Sequence, residues 1–189
     1  YQDEQKKFIN LPIDPEITKS NVSGMTVDED GIIWILYKGT LKRYSIHEST
    51  DGEPTIMPHA DFRHEDAIDY LFKSDNKLII VDQKGNIFEI KGDQQLFICN
   101  IEKLMMENGG ISSIIYDNED ILIAFNSNGL IRLNNNQGNY LPERIRIDCG
   151  VFSLWKDQQQ DIVWIGTDGQ GVYAMTKDEY TFNGINLTE

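Results

Sequence analysis

Cysteine is scarce in this sequence, which limits the kinds of scaffold it can form. The 189 residues include two cysteines, Cys99 and Cys149. Neither lies in a Cys-x-x-Cys pair or has a histidine at zinc-ligand spacing, which excludes a disulfide framework and a structural zinc site of the usual kind. We interpret both as small buried hydrophobic residues, and a single disulfide between them is the alternative.

Positive charge and long hydrophobic runs are also in short supply. The chain has 17 Lys and Arg residues against 31 Asp and Glu residues, a formal net charge of −14. Such a chain repels a phosphate backbone, so we expect no nucleic-acid partner. Apolar stretches such as Leu78–Val81 are far shorter than the roughly 20 residues that span a bilayer, so we expect no membrane contact by this segment. The first residues lack the order of a secretory signal, which leaves open a cytosolic chain or a signal removed upstream.

Recognisable catalytic motifs are missing as well. There is no nucleophile elbow, no nucleotide-binding glycine loop and no cysteine with a placed histidine partner. The segment 59–66 contains two histidines, two aspartates and a glutamate, but their spacing is irregular, and we interpret it as a solvated loop between repeats. Asp28–Gly31 resembles the start of a calcium loop but lacks the final glutamate, which favours a hairpin turn. We therefore expect no metal, no cofactor and no enzymatic activity in this chain, although a glycosidase-type carboxylate pair stays open.

What the sequence does contain is a repeat. A short segment with apolar first and fourth positions begins at Val22, Ala67, Ile111 and Val151, so the starts are 45, 44 and 40 residues apart. A polar turn follows each copy, and then a second segment that is apolar almost throughout, as expected for a strand covered on both faces. These second segments are Ile32–Leu36, Leu78–Val81, Ile121–Ala124 and Ile162–Ile165.

Further strands complete each repeat. A Gly-bearing turn closes every second strand, and a third strand follows: Leu41–Tyr44, Ile87–Ile90, Leu130–Leu133 and Val172–Met175. Looser stretches supply a fourth strand: Thr55–Met57, Gln95–Ile98 and Arg144–Ile147. A helix of one or two turns is predicted at Asn100–Glu107.

Four short antiparallel strands in a period of about 40 residues indicate a propeller blade. The sequence therefore predicts an all-β fold, a β-propeller of about four blades, as one segment over residues 1–189. The repeats lie at approximately 20–63, 64–108, 109–148 and 149–189.

Two of the repeats carry a family resemblance. The stretch Val151–Tyr173, with Phe-Ser-Leu-Trp-Lys-Asp and then Ile-Val-Trp-Ile-Gly-Thr-Asp-Gly-Gln-Gly-Val-Tyr, resembles the two-component regulator propeller repeat, and Val22–Tyr44 is similar to the same pattern. The middle repeats depart from it, with Leu78 and Leu122 in place of the tryptophan. The repeat occurs in extracytoplasmic sensor regions of hybrid two-component systems, which join a histidine kinase and a response regulator in one polypeptide and typically detect glycan fragments.

The resemblance also bears on the number of blades. Those sensors have larger propellers, which implies that this chain is part of one, and Asn186–Glu189 looks like the lead-in to a following blade. The alternative is a small ring that a strand around Lys7–Leu11 closes. An open segment leaves blade faces and strand edges bare, so we expect self-association.

A propeller ligand site is expected where loops between inner strands gather at one end of the axis. Trp34 and Trp164 are expected to fill space between blades rather than bind ligand. The candidate ligand-binding residues are Tyr37, Lys38, Gln83, Asn126, Asn128, Asp168 and Gln170, with Trp155 as a stacking surface for a pyranose ring. The alternative is that these are ordinary hairpin turns and that any site lies outside this chain.

Three functions are compatible with the sequence. The first is a non-catalytic, periplasmic sensor module that helps detect a carbohydrate-type ligand and transmit the signal, together with the remaining blades and domains of its parent chain. The second is a protein interaction scaffold. The third, a polysaccharide lyase or hydrolase, requires clustered acid and base groups at the axis.

Overall fold

The computed structural model describes residues 13–18, 22–176 and 183–185. Two short helices and sixteen strands occur in these ranges. The helices are α1 (Pro15–Thr18) and α2 (Glu102–Asn108). The strands are β1 (Gly24–Val27), β2 (Ile33–Tyr37), β3 (Thr40–Glu48), β4 (Pro54–Pro58), β5 (Ile68–Ser74), β6 (Lys77–Asp82), β7 (Asn86–Lys91), β8 (Gln94–Asn100), β9 (Ile111–Asp117), β10 (Asp120–Phe125), β11 (Gly129–Asn136), β12 (Asn139–Ile145), β13 (Val151–Asp157), β14 (Ile162–Thr167), β15 (Val172–Met175) and β16 (Asn183–Ile185).

Four consecutive strands form each sheet. The strand orders are β1-β2-β3-β4, β5-β6-β7-β8, β9-β10-β11-β12 and β13-β14-β15-β16, each sheet being a simple meander. Four strands in each of four sheets is the arrangement predicted from the repeat. The proposed closing strand at Lys7–Leu11 and the lead-in at Asn186–Glu189 lie outside the described residues.

The second strand of each sheet lies between two neighbours, which explains its composition. Residues 121–125 of β10 are fully buried, as are Ile80 and Val81 of β6. A strand flanked by hydrogen-bonded neighbours and covered on both faces can bury every side chain, so apolar residues are favoured at successive positions. The predicted second strands are confirmed.

The third sheet differs from the prediction at its outer edge. Its fourth strand is β12, Asn139–Ile145, whereas Arg144–Ile147 was expected. Pro142 lies inside β12 and pairs with Leu133 of β11. Proline lacks an N–H donor but is tolerated in an edge strand, where one side of the backbone needs no partner. The predicted helix is confirmed as α2, whereas α1 was not predicted.

The chain divides into two compact units, Tyr1–Leu71 and Phe72–Glu189. In the first, Ile17 of α1 packs against Ile35, Tyr37 and Tyr44 of the first sheet. A helix of four residues has too few internal hydrogen bonds to be stable alone, so this apolar contact holds it in place.

Trp34 is the largest buried side chain in the first unit, with 1% of its surface exposed. Its indole Nε1 donates to Asp28 Oδ2 at 2.7 Å, and its ring meets that of Phe62 edge to face at 5.7 Å. The other oxygen of Asp28 accepts the backbone N–H groups of Asp30 and Ile32. Asp28–Gly31 is therefore a hairpin turn, as predicted, and its carboxylate also satisfies a buried indole.

Replacing Asp28 by alanine should lower the free energy of unfolding by about 2 kcal/mol, because the indole N–H and two turn amides lose their acceptor. The midpoint of urea unfolding measures the effect. Asp30→Ala, in the same turn at an exposed position, is the control and should change it little. Equal losses in both variants would show that the bond to Trp34 contributes nothing specific.

The second unit contains a large apolar core between its last two sheets. Leu122, Ala124 and Leu130 of the third sheet pack with Val151 and Ile165 of the fourth, and all five are fully buried. The inward residues of β13 are Val151 and Leu154, which lie three positions apart because the strand register shifts between Val151 and Ser153. Trp164 of β14 is only partly buried, and its backbone pairs with Trp155 of β13.

A candidate ligand cleft beside Trp155

An open cleft of about 600 Å³ lies at the ends of the first strands in the second unit. The end of β5 and its following turn form one wall, β9 contributes Ile115, and the end of β13 and its turn form the other wall. The lining residues are Lys73, Ser74, Asp75, Ile115, Leu154, Trp155, Lys156, Asp157, Gln158 and Gln159.

Hydrogen bonds between successive first strands bring these walls together. The Tyr116 backbone N–H on β9 donates to Ser74 Oγ on β5 at 2.8 Å, and the Ser112 hydroxyl on β9 donates to the Val151 carbonyl on β13. The turns after β5 and β13 also meet, because the Gln158 amide donates to Asp75 Oδ1 at 2.6 Å. Residues 83 positions apart in the chain therefore share one cleft.

Trp155 is the most exposed large ring of this cleft, with 61% of its surface accessible. Its neighbour Leu154 faces the apolar core, so alternation along β13 turns Trp155 away from that core. Leaving an indole in water forgoes roughly 2 kcal/mol or more of burial free energy. An exposed aromatic ring among polar groups is a feature of recognition surfaces.

The formal charges that line the cleft balance. Lys73 and Lys156 are matched by Asp75 and Asp157, in contrast to the acidic chain as a whole. Asp157 Oδ1 accepts the backbone N–H groups of Gln159 and Gln160, which orders the turn after β13. The cleft therefore offers amide and carboxylate hydrogen-bonding groups around an aromatic face without a strong net charge.

A buried ion network underlies the cleft. Lys156 Nζ lies 2.9 Å from Asp117 Oδ1, and Arg132 donates to the other carboxylate oxygen at 3.2 Å. The three side chains are 10–12% exposed and come from β9, β11 and β13. Lys156 also lies 3.7 Å from Asp161. The network therefore fixes the side chain of Lys156, which lines the cleft, to the neighbouring sheet.

The candidate loop residues of the second unit lie in turns at the other ends of the strands. Gln83, Asn126, Asn128, Asp168 and Gln170 are all exposed there. The backbone N–H of Asp168 donates to the Gly150 carbonyl, and Gly150 also lies against the Asn126 carbonyl, so these two turns are brought together.

Trp155 is not part of that group. Turns alternate between the two ends of a meander, so the turns after β5 and β13 lie opposite those after β6, β10 and β14. Tyr37 and Lys38 belong to the first unit; Tyr37 is buried in its core, and the Lys38 amine lies 5.0 Å from the centre of the Tyr37 ring.

Sequence reasoning missed Lys73, Asp75 and Gln158 as cleft residues. These residues lie at the ends of the first strands β5 and β13 or in the turns that follow. The turns themselves were predicted, but their position beside a cleft was not. The in-phase repeat was the available signal, since equivalent turns of successive blades must lie at the same end.

The segment 59–66 is a loop between β4 and β5, as interpreted. Its Asp61 pairs with Lys42 at 2.8 Å, and the His59 ring bonds to Ser45. Within the described ranges no three His, Cys, Asp or Glu side chains converge as metal ligands.

Cys99 and Cys149 are free thiols and partly buried rather than fully buried. Burial raises the pKa of the Cys99 thiol to about 11. None of the helices in the described ranges has the length and apolar character needed to cross a membrane.

Comparison with known proteins shows which solved structures share this fold. No family model matches the chain, and no curated protein matches it in sequence. The Dos1 propeller superposes with a TM-score of 0.56 at 15% identity, over 87% of this chain and 46% of that one. The extracellular domain assigned to a hybrid two component system of B. thetaiotaomicron gives 0.55 at 16% identity, over 98% of this chain and 25% of that one. The computationally designed Ika4 protein gives 0.55 at 15% identity, over 89% and 96%.

This chain thus spans less than half of the length of the first two of these proteins. At such low identity the likeness concerns the fold alone. The predicted all-β propeller fold is confirmed, and an extracellular domain assigned to a hybrid two component system shares it.

Proposed function

We propose that this chain is a non-catalytic sensor module from the extracytoplasmic region of a hybrid two-component signalling protein, and that it binds a carbohydrate-type ligand in the Trp155 cleft. The observation that carries the proposal is the cleft itself, in which an exposed indole lies among polar side chains from the second and fourth sheets.

The chemistry of the cleft suits a sugar. A pyranose ring has an apolar C–H face, which stacks on an aromatic ring, and a rim of hydroxyl groups that donate and accept hydrogen bonds. Trp155 supplies the aromatic face, and Gln158, Gln159 and Asp75 supply amide and carboxylate groups around it. The balanced charge of the lining favours a neutral sugar over a strongly anionic one.

The signalling role is supported by two independent likenesses. The stretch Val151–Tyr173 resembles the propeller repeat of two-component sensors, and the fold matches that of an extracellular domain assigned to such a system. A periplasmic location and transmission of the signal through the other domains of the parent protein follow from the same proposal.

Two hydrogen-bonded carboxylates support a binding role over a hydrolytic one. Asp75 accepts the Gln158 amide, and Asp157 accepts two turn N–H groups, so both already stabilise the walls of the cleft. Incubation with the ligand should release no new reducing ends. Steady release that Asp75→Asn or Asp157→Asn abolishes would replace the sensor with a glycoside hydrolase.

Ligand binding can be tested with a panel of neutral and anionic oligosaccharides in a thermal-shift assay, followed by calorimetry. Saturation with the correct sugar should stabilise the folded state by about 2.7 kcal/mol at a hundredfold excess over Kd. Trp155→Ala should weaken binding by about tenfold or more, because aromatic anchors dominate such sites.

Phe152→Ala is the matched control. Phe152 lies on the same strand, is 51% exposed and does not line the cleft, so its removal should leave the affinity unchanged. Equal losses in the two variants would mean that the sugar does not bind beside Trp155.

A scaffold role is the second candidate, and exposed apolar side chains on edge strands favour it. Leu96 and Phe97 of β8 and Leu141 of β12 are at least half exposed. Sedimentation velocity distinguishes self-association through such edges from a monomer. Leu96→Ser should shift the distribution toward monomer if β8 forms the contact.

A further inference from the structure

Two histidines of the first sheet point at one atom. The Ser45 hydroxyl on β3 lies 2.8 Å from His47 Nε2, on the same strand, and 2.9 Å from His59 Nε2, just after β4. Ser45 is buried, whereas both histidines are exposed. One imidazole would satisfy a buried hydroxyl, so the second is more than the fold requires.

The strand register places a thioether sulfur, that of Met57, on the same face as the two imidazoles. Ser45 pairs directly with Met57 of β4, and directly opposed residues of an antiparallel pair share a face. His47 lies two residues after Ser45, and His59 lies two residues after Met57, so alternation puts them on that face as well. The His59 backbone N–H donates to the Arg43 carbonyl at 2.8 Å, which extends the pairing past β4. Met57 is 53% exposed.

Arg43, two residues before Ser45 on β3, has partners of its own. The Arg43 guanidinium lies 5.3 Å from the centre of the Trp34 ring, and its Nε donates to the Ala60 carbonyl. No carboxylate is needed in a site for a soft, singly charged cation.

We propose that His47, His59 and Met57 form a binding site for Cu(I). Imidazole nitrogen suits copper and zinc, whereas a thioether sulfur selects Cu(I) over the harder divalent ions. The Ser45 hydroxyl is a positioning group, since it holds the two Nε2 atoms toward a common point. The exposed rings can turn from the hydroxyl to a shared ion with little change in the backbone. The site lies in the first unit, among residues that the sugar cleft does not use.

A competition titration tests the site. Purified protein with Cys99→Ala and Cys149→Ala, which removes the thiols that would otherwise capture copper, is titrated into a chromogenic Cu(I)-chelator complex. One Cu(I) should transfer per chain. His47→Gln and His59→Gln should each weaken Cu(I) binding by about tenfold or more, and Met57→Leu should weaken Cu(I) binding while leaving Zn(II) binding unchanged.

Matched controls are at hand. His64→Gln removes the remaining histidine, and Met106→Leu replaces another exposed methionine, so both should leave the Cu(I) affinity unchanged. Failure to withdraw any Cu(I) from the chelator, or full binding by the His47→Gln/His59→Gln double variant, overturns the proposal.

A second measurement uses the same Cys99→Ala/Cys149→Ala protein, in which no thiol competes for copper. Cu(I) added under reducing, anaerobic conditions should shift the imidazole ¹⁵N resonances of His47 and His59 and leave those of His64 in place. Shifts at all three histidines, or at none of them, overturn the proposal.

Discussion

Gly85→Ala should lower the free energy of unfolding by about 3 kcal/mol, because Gly85 packs directly against the backbone of the segment that leads to the next blade. Gly85 follows β6 with φ of +75°. A Cβ at this position would lie 2.5 Å from the Glu102 backbone nitrogen and 2.7 Å from its Cα. The obstacle is backbone, and the Ile101 N–H bonds to the Gly85 carbonyl at 2.8 Å, so the segment cannot move away without losing that bond.

The same device occurs in the first unit. Gly39 has φ of +75°, its carbonyl accepts the Ile68 N–H, and an added Cβ would lie 2.9 Å from the Ala67 Cβ. The glycine after each of these second strands therefore serves two needs, a left-handed turn and close passage of the linker to the following strand.

Gly92→Ala separates the two needs. Gly92 has φ of +59°, but a Cβ there would meet nothing within 4 Å. Its cost should be limited to the backbone conformation, about 1 kcal/mol. Urea unfolding of both variants measures the difference, and equal midpoints would refute the role assigned to the close passage at Glu102.

Asp117→Asn should also lower the free energy of unfolding by about 3 kcal/mol, because it removes the negative charge that Arg132 and Lys156 share in a nearly buried network. Asp117 accepts from Arg132 at 3.2 Å and from Lys156 at 2.9 Å, and all three groups are nearly buried. The substitution keeps the shape of the side chain but removes its charge, so the loss reports electrostatics rather than a cavity.

Glu107→Gln provides the comparison. Glu107 lies 3.8 Å from Lys103 in α2, and both side chains are more than half exposed. Exposed helical pairs contribute roughly 0.5 kcal/mol or less. Similar losses in the two variants, measured by the urea midpoint, would contradict a special role for the network beneath the cleft.

Most of the strand pattern could be predicted from local sequence. Continuous apolar runs identify central strands such as β10. A strand that has hydrogen-bonded neighbours and is covered on both faces buries every side chain, so apolar residues are favoured at successive positions. The fourth strand of the third sheet was predicted too far along the chain, at Arg144–Ile147, because Pro142 interrupts the apolar pattern. That proline is tolerated because β12 lies at the edge of its sheet. α1 has four residues, too few for a helical period to appear.

The candidate site was only partly predictable. Trp155 could be identified by its type and its strand, but the polar groups near it could not, because Asp75 and Gln158 meet across 83 positions. Strand alternation fixes the face of a side chain and leaves open which end of the blades forms a cleft. The pairing of Asp117 with Lys156 likewise depends on the contact between sheets.

Sugar binding beside Trp155 is tested most directly by the indole region of a ¹H–¹⁵N NMR spectrum during titration with the sugar that the panel selects. The chain has three tryptophans, so three indole N–H signals are expected, assigned by Trp155→Phe and Trp164→Phe. Sugar binding beside Trp155 should produce a saturable shift of the Trp155 signal with the calorimetric Kd, while the signal of Trp34, which is buried and bonded to Asp28, stays in place. A sugar that binds without moving the Trp155 signal, or a panel with no binding sugar, would contradict it.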